Sequence, residues 1–149
     1  MKKIFFLLLF LIGAIFLAYY LNLNTNNTQK RELITDLTPL TCDLNQQDCH
    51  FAFGDKKVFV ALNPKPLASL QDLELRLENL GDYTNLKAVA YGLNMYMGDI
   101  NPVFVKTSSD SYKAKVVLSS CAIDVMRYRV EFFDGNQKLD FYFDFDVRR

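Results

Sequence analysis

The sequence has no tryptophan, a single histidine and a formal net charge of zero. A structural zinc site needs about four closely spaced Cys, His or carboxylate ligands, and this chain does not supply such a cluster. The balanced charge leaves no basic face, so we predict no nucleic-acid partner. The aromatic residues are 13 phenylalanines and 8 tyrosines, which favour β-strands.

Residue patterns that carry catalysis are also absent from the sequence. A catalytic triad needs a histidine with a nucleophile and an orienting acid, and nothing pairs His50 with such partners. We find no glycine-rich phosphate loop and no evident pair of catalytic carboxylates. We therefore predict that the chain is not an enzyme and that His50 is a surface or strand-edge residue.

One long hydrophobic run stands at the N-terminus. Residues 4–21 contain no charged side chain, and as a helix they would span about 27 Å, close to the thickness of a bilayer core. Lys2 and Lys3 precede the run, which places Met1 in the cytoplasm by the positive-inside rule. A cleaved signal peptide is the alternative, but no small-x-small cleavage site follows, so we predict an uncleaved transmembrane signal anchor.

The anchor prediction sets the organisation and the compartment of the rest of the chain. Residues 1–21 form the anchor, residues 22–40 begin as a polar Asn/Thr linker, and residues 41–149 form the folded domain. We predict a single-pass protein of the inner (cytoplasmic) membrane with its C-terminal domain in the periplasm. The expected partners are the membrane, through the N-terminal helix, and a membrane protein complex.

From Cys42 onward the sequence alternates between apolar and polar residues, and Gly-Asp or Asp-Gly pairs separate several of the alternating runs. This pattern predicts an all-β domain, an Ig-like antiparallel β-sandwich of seven to eight strands behind the transmembrane helix, with a closed barrel as the alternative. The predicted strands are residues 50–53, 57–62, 72–80, 86–94, 102–106, 112–118, 125–133 and 138–147.

The last predicted strand has the clearest alternation, with phenylalanines facing inward and aspartates facing outward. Asp134, Asp140, Asp144 and Asp146 form an acidic cluster near the C-terminus, but alternate residues of a strand spread along one face rather than converge on an ion. A calcium site needs six or more converging oxygens. We therefore predict a solvated acidic face whose carboxylates pair with Arg127, Arg129, Arg148 and Arg149 across the strands.

Three cysteines, Cys42, Cys49 and Cys121, predict one disulfide and one remaining thiol in an exported domain. Pairing of Cys42 with Cys49 closes a short loop, which costs less entropy, and we favour it. Pairing of Cys49 with Cys121 is the alternative. The spacing is not Cys-x-x-Cys, which gives little support to a thioredoxin-like redox role.

Two of the four methionines, Met95 and Met97, are two residues apart. Residues at this spacing share a face of a strand, so we expect two thioethers side by side. Thioether is a soft ligand that suits Cu(I), whereas the alternative is that both residues fill the core. Cys121, if it is free, and Met126 are further candidate ligands of the same soft metal.

These parts together resemble those of a known family. A strand ending in a Met-x-Met-Gly segment, a Tyr-bearing strand and a turn into a Met/aromatic strand are similar to the YtkA-like group of small exported Ig-like sandwiches, which are akin to FixH-type and CopC-like proteins. The resemblance implies an Ig-like fold and a role in copper handling or copper-enzyme assembly, transferred at most to Met95 and Met97. The matching parts are Met95-Tyr96-Met97-Gly98, Tyr112, Cys121 and Met126-Arg127-Tyr128.

Two functional hypotheses follow. In the first, the chain is a membrane-anchored periplasmic Ig-like domain that binds a soft metal such as Cu(I), or assists assembly of a copper enzyme; we expect no other cofactor. In the second, it is a non-catalytic interaction or scaffold module of a membrane-associated complex, because the edges of a sandwich can add strands or dock partners.

Overall fold

The structure is a computed structural model that describes residues 3, 10–19, 31 and 33–149. The chain forms two compact units, Met1–Glu32 and Leu33–Arg149. In the first unit residues 10–19 are helical. Within the described residues, no helix combines the length and the apolar character needed to cross a membrane. Ten of the 21 residues of the predicted anchor and ten of the 19 residues of the predicted linker lie outside the described residues, so the anchor stays a prediction.

The second unit contains eight strands, and each predicted strand has a counterpart whose ends agree within two residues. Period-two alternation accounts for this agreement, since it places one set of side chains in the core and the other in solvent. The strands are β1 (Cys49–Phe53), β2 (Lys56–Asn63), β3 (Asp72–Glu78), β4 (Leu86–Gly92), β5 (Phe104–Lys106), β6 (Tyr112–Val117), β7 (Val125–Asp134) and β8 (Gln137–Arg148).

The strands form two antiparallel sheets. The larger sheet has the order β1-β2-β3-β6-β5, and the smaller has the order β4-β7-β8. The predicted all-β, antiparallel sandwich is confirmed by these two sheets. Two hairpins join neighbours through the turns predicted from Gly-Asp and Asp-Gly, and their glycines adopt positive φ, 56° at Gly54 and 61° at Gly135.

The core lies between the sheets and is built from the inward face of each strand. Leu73, Leu75 and Leu77 of β3 are almost fully buried, as are the alternate phenylalanines of β8. Phe132 of β7 packs at 5.2 Å, centroid to centroid, from Phe141. Each such side chain contributes about 1.5–3 kcal/mol on burial, so a one-residue slip of a strand would forfeit its whole inward set.

The outer face of the smaller sheet differs from its prediction. Arg127 and Asp146 are buried, with side chains 5% and 8% exposed, so the expectation of a fully solvated acidic face was wrong at Asp146. The reason is that residues 37–40 lie over this pair, where the Thr38 carbonyl accepts a hydrogen bond from Arg127. Two of the four arginines expected to pair with this acidic face do so, Arg127 with Asp146 and Arg129 with Asp144. Arg148 instead pairs with Asp43.

Residues 33–40, which the sequence assigns to the linker, belong to the compact unit that begins at Leu33. The Ile34 amide donates to the Leu93 carbonyl at 2.8 Å, just beyond the end of β4. This segment therefore reaches the outer face of the smaller sheet at Thr38 and the end of β4 at Ile34.

Candidate functional site

Three sulfur-bearing residues lie near one another where β4 ends and β7 begins. Met95 lies in the loop that follows β4, Cys121 lies in the loop between β6 and β7, and Met126 is the second residue of β7. β4 ends at Gly92, where the chain leaves the sheet. The amide of the next residue, Leu93, still donates a hydrogen bond to the Arg127 carbonyl at 2.8 Å. Two loops and one strand thus form the site.

Cys121 and Met95 are in direct contact. The Cys121 thiol donates a hydrogen bond to the Met95 thioether, with Sγ and Sδ 2.9 Å apart, and both residues are half-buried. Cys121 is free because Cys42 and Cys49 form the disulfide, with 6.0 Å between their Cα atoms. The preferred cysteine pairing is therefore confirmed, and the thiol left over lies against a methionine.

Met126 lies close to the Met95 backbone, in the space above Gly92. Met126 is only 3% exposed. A Cβ at Gly92 would lie 2.1 Å from Met126 Cε and 2.1 Å from the Met95 carbonyl oxygen. The methionine methyl and the Met95 backbone therefore occupy the volume that any other residue at position 92 would need. Met126 and Cys121 also line one cleft of about 510 Å³, whose rim carries Arg148 and Arg149.

Asn94 fixes the loop that carries Met95. Its side-chain NH₂ donates to the Val125 carbonyl at 2.8 Å, and its Oδ1 accepts from the Arg127 amide at 2.9 Å. These two bonds bracket Met126 in β7, so Asn94 sets the distance between the two methionine-bearing segments. The sequence analysis missed this residue; its one signal was an asparagine as the last residue of a predicted strand, where a side-chain amide can bond to backbone groups.

Tyr128 supports the loop that carries Cys121. Its hydroxyl donates to the Ser119 carbonyl at 3.0 Å, and its ring stacks on Phe145 with centroids 5.5 Å apart. Burial raises the pKa of Tyr128, and the neighbouring Cys121 raises it further. The hydroxyl therefore stays protonated and keeps its donor at neutral pH.

Met97 stands apart from the cluster. It lies in the loop after β4, like Met95, and its side chain is 39% exposed. The reasoning that Met95 and Met97 share a strand face was wrong, because β4 stops three residues before Met95. Whether any of the four candidate residues binds a metal stays a prediction.

Other candidate ligands do not converge in the part of the chain that the structure describes. Within it, no group of three or more His, Cys, Asp or Glu side chains is arranged to hold a metal ion. His50 is exposed on the edge strand β1, as predicted, and its ring packs edge-on against Phe59 with centroids 5.3 Å apart.

Comparisons with family models, with curated proteins and with solved structures found no match to this chain. The likeness to the YtkA-like group therefore rests on the residues quoted above. The class that the fold defines is an antiparallel β-sandwich. The side chains of Met95, Cys121 and Met126 lie at one end of it.

Proposed function

We propose that this chain is a membrane-anchored, exported domain that binds Cu(I) on sulfur, or assists assembly of a copper enzyme. The observation that carries the proposal is the 2.9 Å contact between Cys121 Sγ and Met95 Sδ, with Met126 beside it. Thiolate and thioether are soft ligands, the kind that select Cu(I) over harder cations. The sulfur cluster, defined as Met95, Cys121 and Met126, supplies both.

Each residue of the cluster would contribute differently to binding the ion. Metal binding requires a deprotonated cysteine, so the ion takes the place of the proton that Cys121 now shares with Met95. Metal–thiolate bonds are about 2.3 Å long, so the ion also pushes the two sulfur atoms apart. Both residues lie in loops, where such a shift costs less than in a strand.

The fold proposed for the domain is Ig-like. A constant-type Ig domain has strands A, B, E and D in one sheet and C, F and G in the other. Here β2-β3-β6-β5 and β4-β7-β8 follow that order, with β1 added beside β2. Tyr128 in β7 bonds back to an upstream carbonyl, as the tyrosine of strand F does in Ig folds.

Two features support export. The Cys42–Cys49 disulfide suits an oxidising compartment, and the uncharged run of residues 4–21 follows two lysines. Together they favour the inner (cytoplasmic) membrane with the folded unit in the periplasm.

The test is an anaerobic Cu(I) titration of the full chain against a chelating probe, with sulfur coordination read by X-ray absorption. We expect one tight equivalent with two or three sulfur ligands. Cys121→Ser and Met95→Leu should each weaken binding, since each removes a soft donor with little change of volume. Met97→Leu is the matched control and should bind nearly as well as the parent chain.

Two results would refute the copper role: retention of one equivalent by the Cys121→Ser, Met95→Leu double variant, or an absorption spectrum with only nitrogen and oxygen neighbours. Circular dichroism of each variant separates lost binding from lost fold.

The second candidate is a non-catalytic interaction or scaffold module. The observation that favours it is apolar exposure at one side of the larger sheet, where Val103 and Val105 are 81% and 65% exposed. Exposed apolar residues grouped in this way are typical of docking surfaces. Crosslinking in intact cells should then recover the same membrane partners with and without copper; a solitary chain in both conditions would contradict this role.

A further inference from the structure

A cleft of about 960 Å³ opens beside β4, the edge strand of the smaller sheet. We call it the β4 cleft, and its walls combine the edge of β4 with the segment that enters β5. Its walls include Leu86, Lys87, Ala88, Val103, Phe104 and Phe133. None of the three residues of the sulfur cluster lines it.

The cleft exposes unpaired backbone groups of β4. Ala90 donates to and accepts from Ile100, both at 2.8 Å, so its amide and carbonyl point away from β7. Alternate residues of a strand turn these groups to the same side. Ala88 and Leu86 therefore direct theirs into the cleft, where no bond to a described residue completes them.

Pro102 explains why the chain does not fill this edge itself. The antiparallel bridge between Ala90 and Ile100 would place Pro102 opposite Ala88 if the pairing continued. Proline has no amide hydrogen and cannot donate to the Ala88 carbonyl. The chain therefore leaves the edge after a single bridge, and a length of strand stays open for a different segment.

The charge of the cleft indicates what that segment carries. The lining includes Lys87 and Lys106 and no aspartate or glutamate. Lys106 pairs with Asp82, whereas Lys87 is exposed and forms no ion pair with a described residue. A second copy joined edge to edge through β4 would bring two Lys87 side chains together, which disfavours that occupant.

We propose that the β4 cleft binds an extended segment of a partner protein in which acidic side chains alternate with apolar ones. The segment adds a strand to β4 through the amides and carbonyls of Ala88 and Leu86. Its apolar side chains pack toward Phe104, and its carboxylate pairs with Lys87. This inference gives the interaction role a partner chemistry and is independent of copper binding.

The experiment uses the full chain and an array of synthetic eight-residue peptides in which valine or threonine alternates with glutamate, lysine or serine. We expect the glutamate peptides to bind best. With the best of them bound, amide exchange followed by NMR should slow at Ala88 and Leu86. It should change little at Lys87 and Val89, which already pair with β7.

The contribution of charge is tested with Lys87→Glu, which should weaken the affinity for the same peptide about fivefold to tenfold. Lys56→Glu, at another exposed strand lysine, is the matched control and should leave binding unchanged. The Lys87→Glu chain should still bind Cu(I), and the Cys121→Ser chain should still bind the peptide. The two variants therefore distinguish loss of peptide binding at the β4 cleft from loss of Cu(I) binding at the sulfur cluster.

Three results would overturn the proposal. The first is an array without binders, or one in which lysine peptides bind best. The second is binding that leaves the exchange of Ala88 unchanged. The third is a dimer in peptide-free solution, detected by sedimentation and abolished by Ala88→Pro, which would assign the edge to a second copy.

Discussion

Met126 and Arg127 are neighbours in β7, yet they face opposite sides of the smaller sheet and belong to clusters of opposite chemistry. On the outer side, every donor-bearing nitrogen of the Arg127 guanidinium has a partner: Asp146 accepts from Nε and Nη2 at 2.7 and 2.9 Å, and the Thr38 carbonyl accepts from Nη1 at 2.7 Å. On the inner side, one thiol touches one thioether, and a methionine methyl fills the space over Gly92.

The difference lies in what burial demands of each group. A buried charge is costly unless it is paired, so each nitrogen of the Arg127 guanidinium is already bonded to a protein oxygen. The hydrogen bond to Asp146 also raises the pKa of Arg127 and keeps it charged. Sulfur is weakly polar and can be buried without saturation. The inner cluster therefore keeps sulfur lone pairs free, which the proposed Cu(I) ion would use.

The largest effect is expected when the outer cluster is broken. Asp146→Leu leaves the Arg127 charge buried without its carboxylate and should cost about 3–5 kcal/mol of the free energy of unfolding. Arg127→Met with Asp146→Leu should cost clearly less than Asp146→Leu alone, because no unpaired charge remains. Urea unfolding followed by tyrosine fluorescence measures both; a double variant at least as unstable as the Asp146→Leu single variant would contradict the account.

The next effect concerns the shared space in the inner cluster. Gly92→Ala forces its new Cβ against Met126 and the Met95 carbonyl and should cost about 1–3 kcal/mol. Because one of the two clashes is with backbone, removal of the Met126 side chain should not restore stability. Gly13→Ala is the control, since nothing lies within 4 Å of a Cβ there. Urea unfolding that ranks the two variants equal would argue against the crowding.

A smaller effect on stability is expected from Met95→Leu. The change conserves volume and removes one weak sulfur contact, so the free energy of unfolding should fall by less than about 1.5 kcal/mol. The same variant should lose most of its Cu(I) affinity. A large loss of stability with copper binding intact would contradict this prediction. It would mean that Met95 stabilises the fold and does not bind the ion.

The smallest effect belongs to Asp43, whose carboxylate pairs with Arg148 at 2.9 Å. Burial acts to raise its pKa, but bonds from Asn45 and Arg148 outweigh it and lower the pKa from 3.8 to about 2. The carboxylate therefore stabilises the fold above about pH 4 and ceases to do so as the pH falls toward 2. Asp43→Asn should cost about 0.2–1 kcal/mol at pH 6 and less at pH 3, measured by urea unfolding.

Sequence periodicity was sufficient for the strands and insufficient for the site. The alternation in β8 predicted its inward phenylalanines because the side-chain period of a strand is fixed by the backbone. It also predicted Asp146 in solvent, which failed because residues 37–40, distant in sequence, cover that face. A cover of this kind leaves no periodic signal in either segment.

The sulfur residues show the same limit. Their types pointed to soft-metal chemistry, but the contact between Cys121 and Met95 joins residues from two loops, and loop paths are set by local bonds such as those of Asn94. The strand-face argument for Met97 failed because β4 ends at Gly92, before either methionine. The open edge of β4 depends on where Ile100 and Pro102 fall in space, which the sequence alone does not give.

The disulfide has a practical consequence for any work with this chain. Asn45, inside the loop closed by Cys42 and Cys49, bonds to the Asp146 carbonyl at 2.7 Å and accepts from the Leu67 amide at 3.1 Å. A reductant added to protect the Cys121 thiol during purification also breaks the disulfide. The loop then opens, which weakens the hydrogen bond from Asn45 to β8. The Cys42–Cys49 disulfide must stay oxidised while the Cys121 thiol stays reduced. Purification therefore calls for exclusion of oxygen rather than addition of thiols.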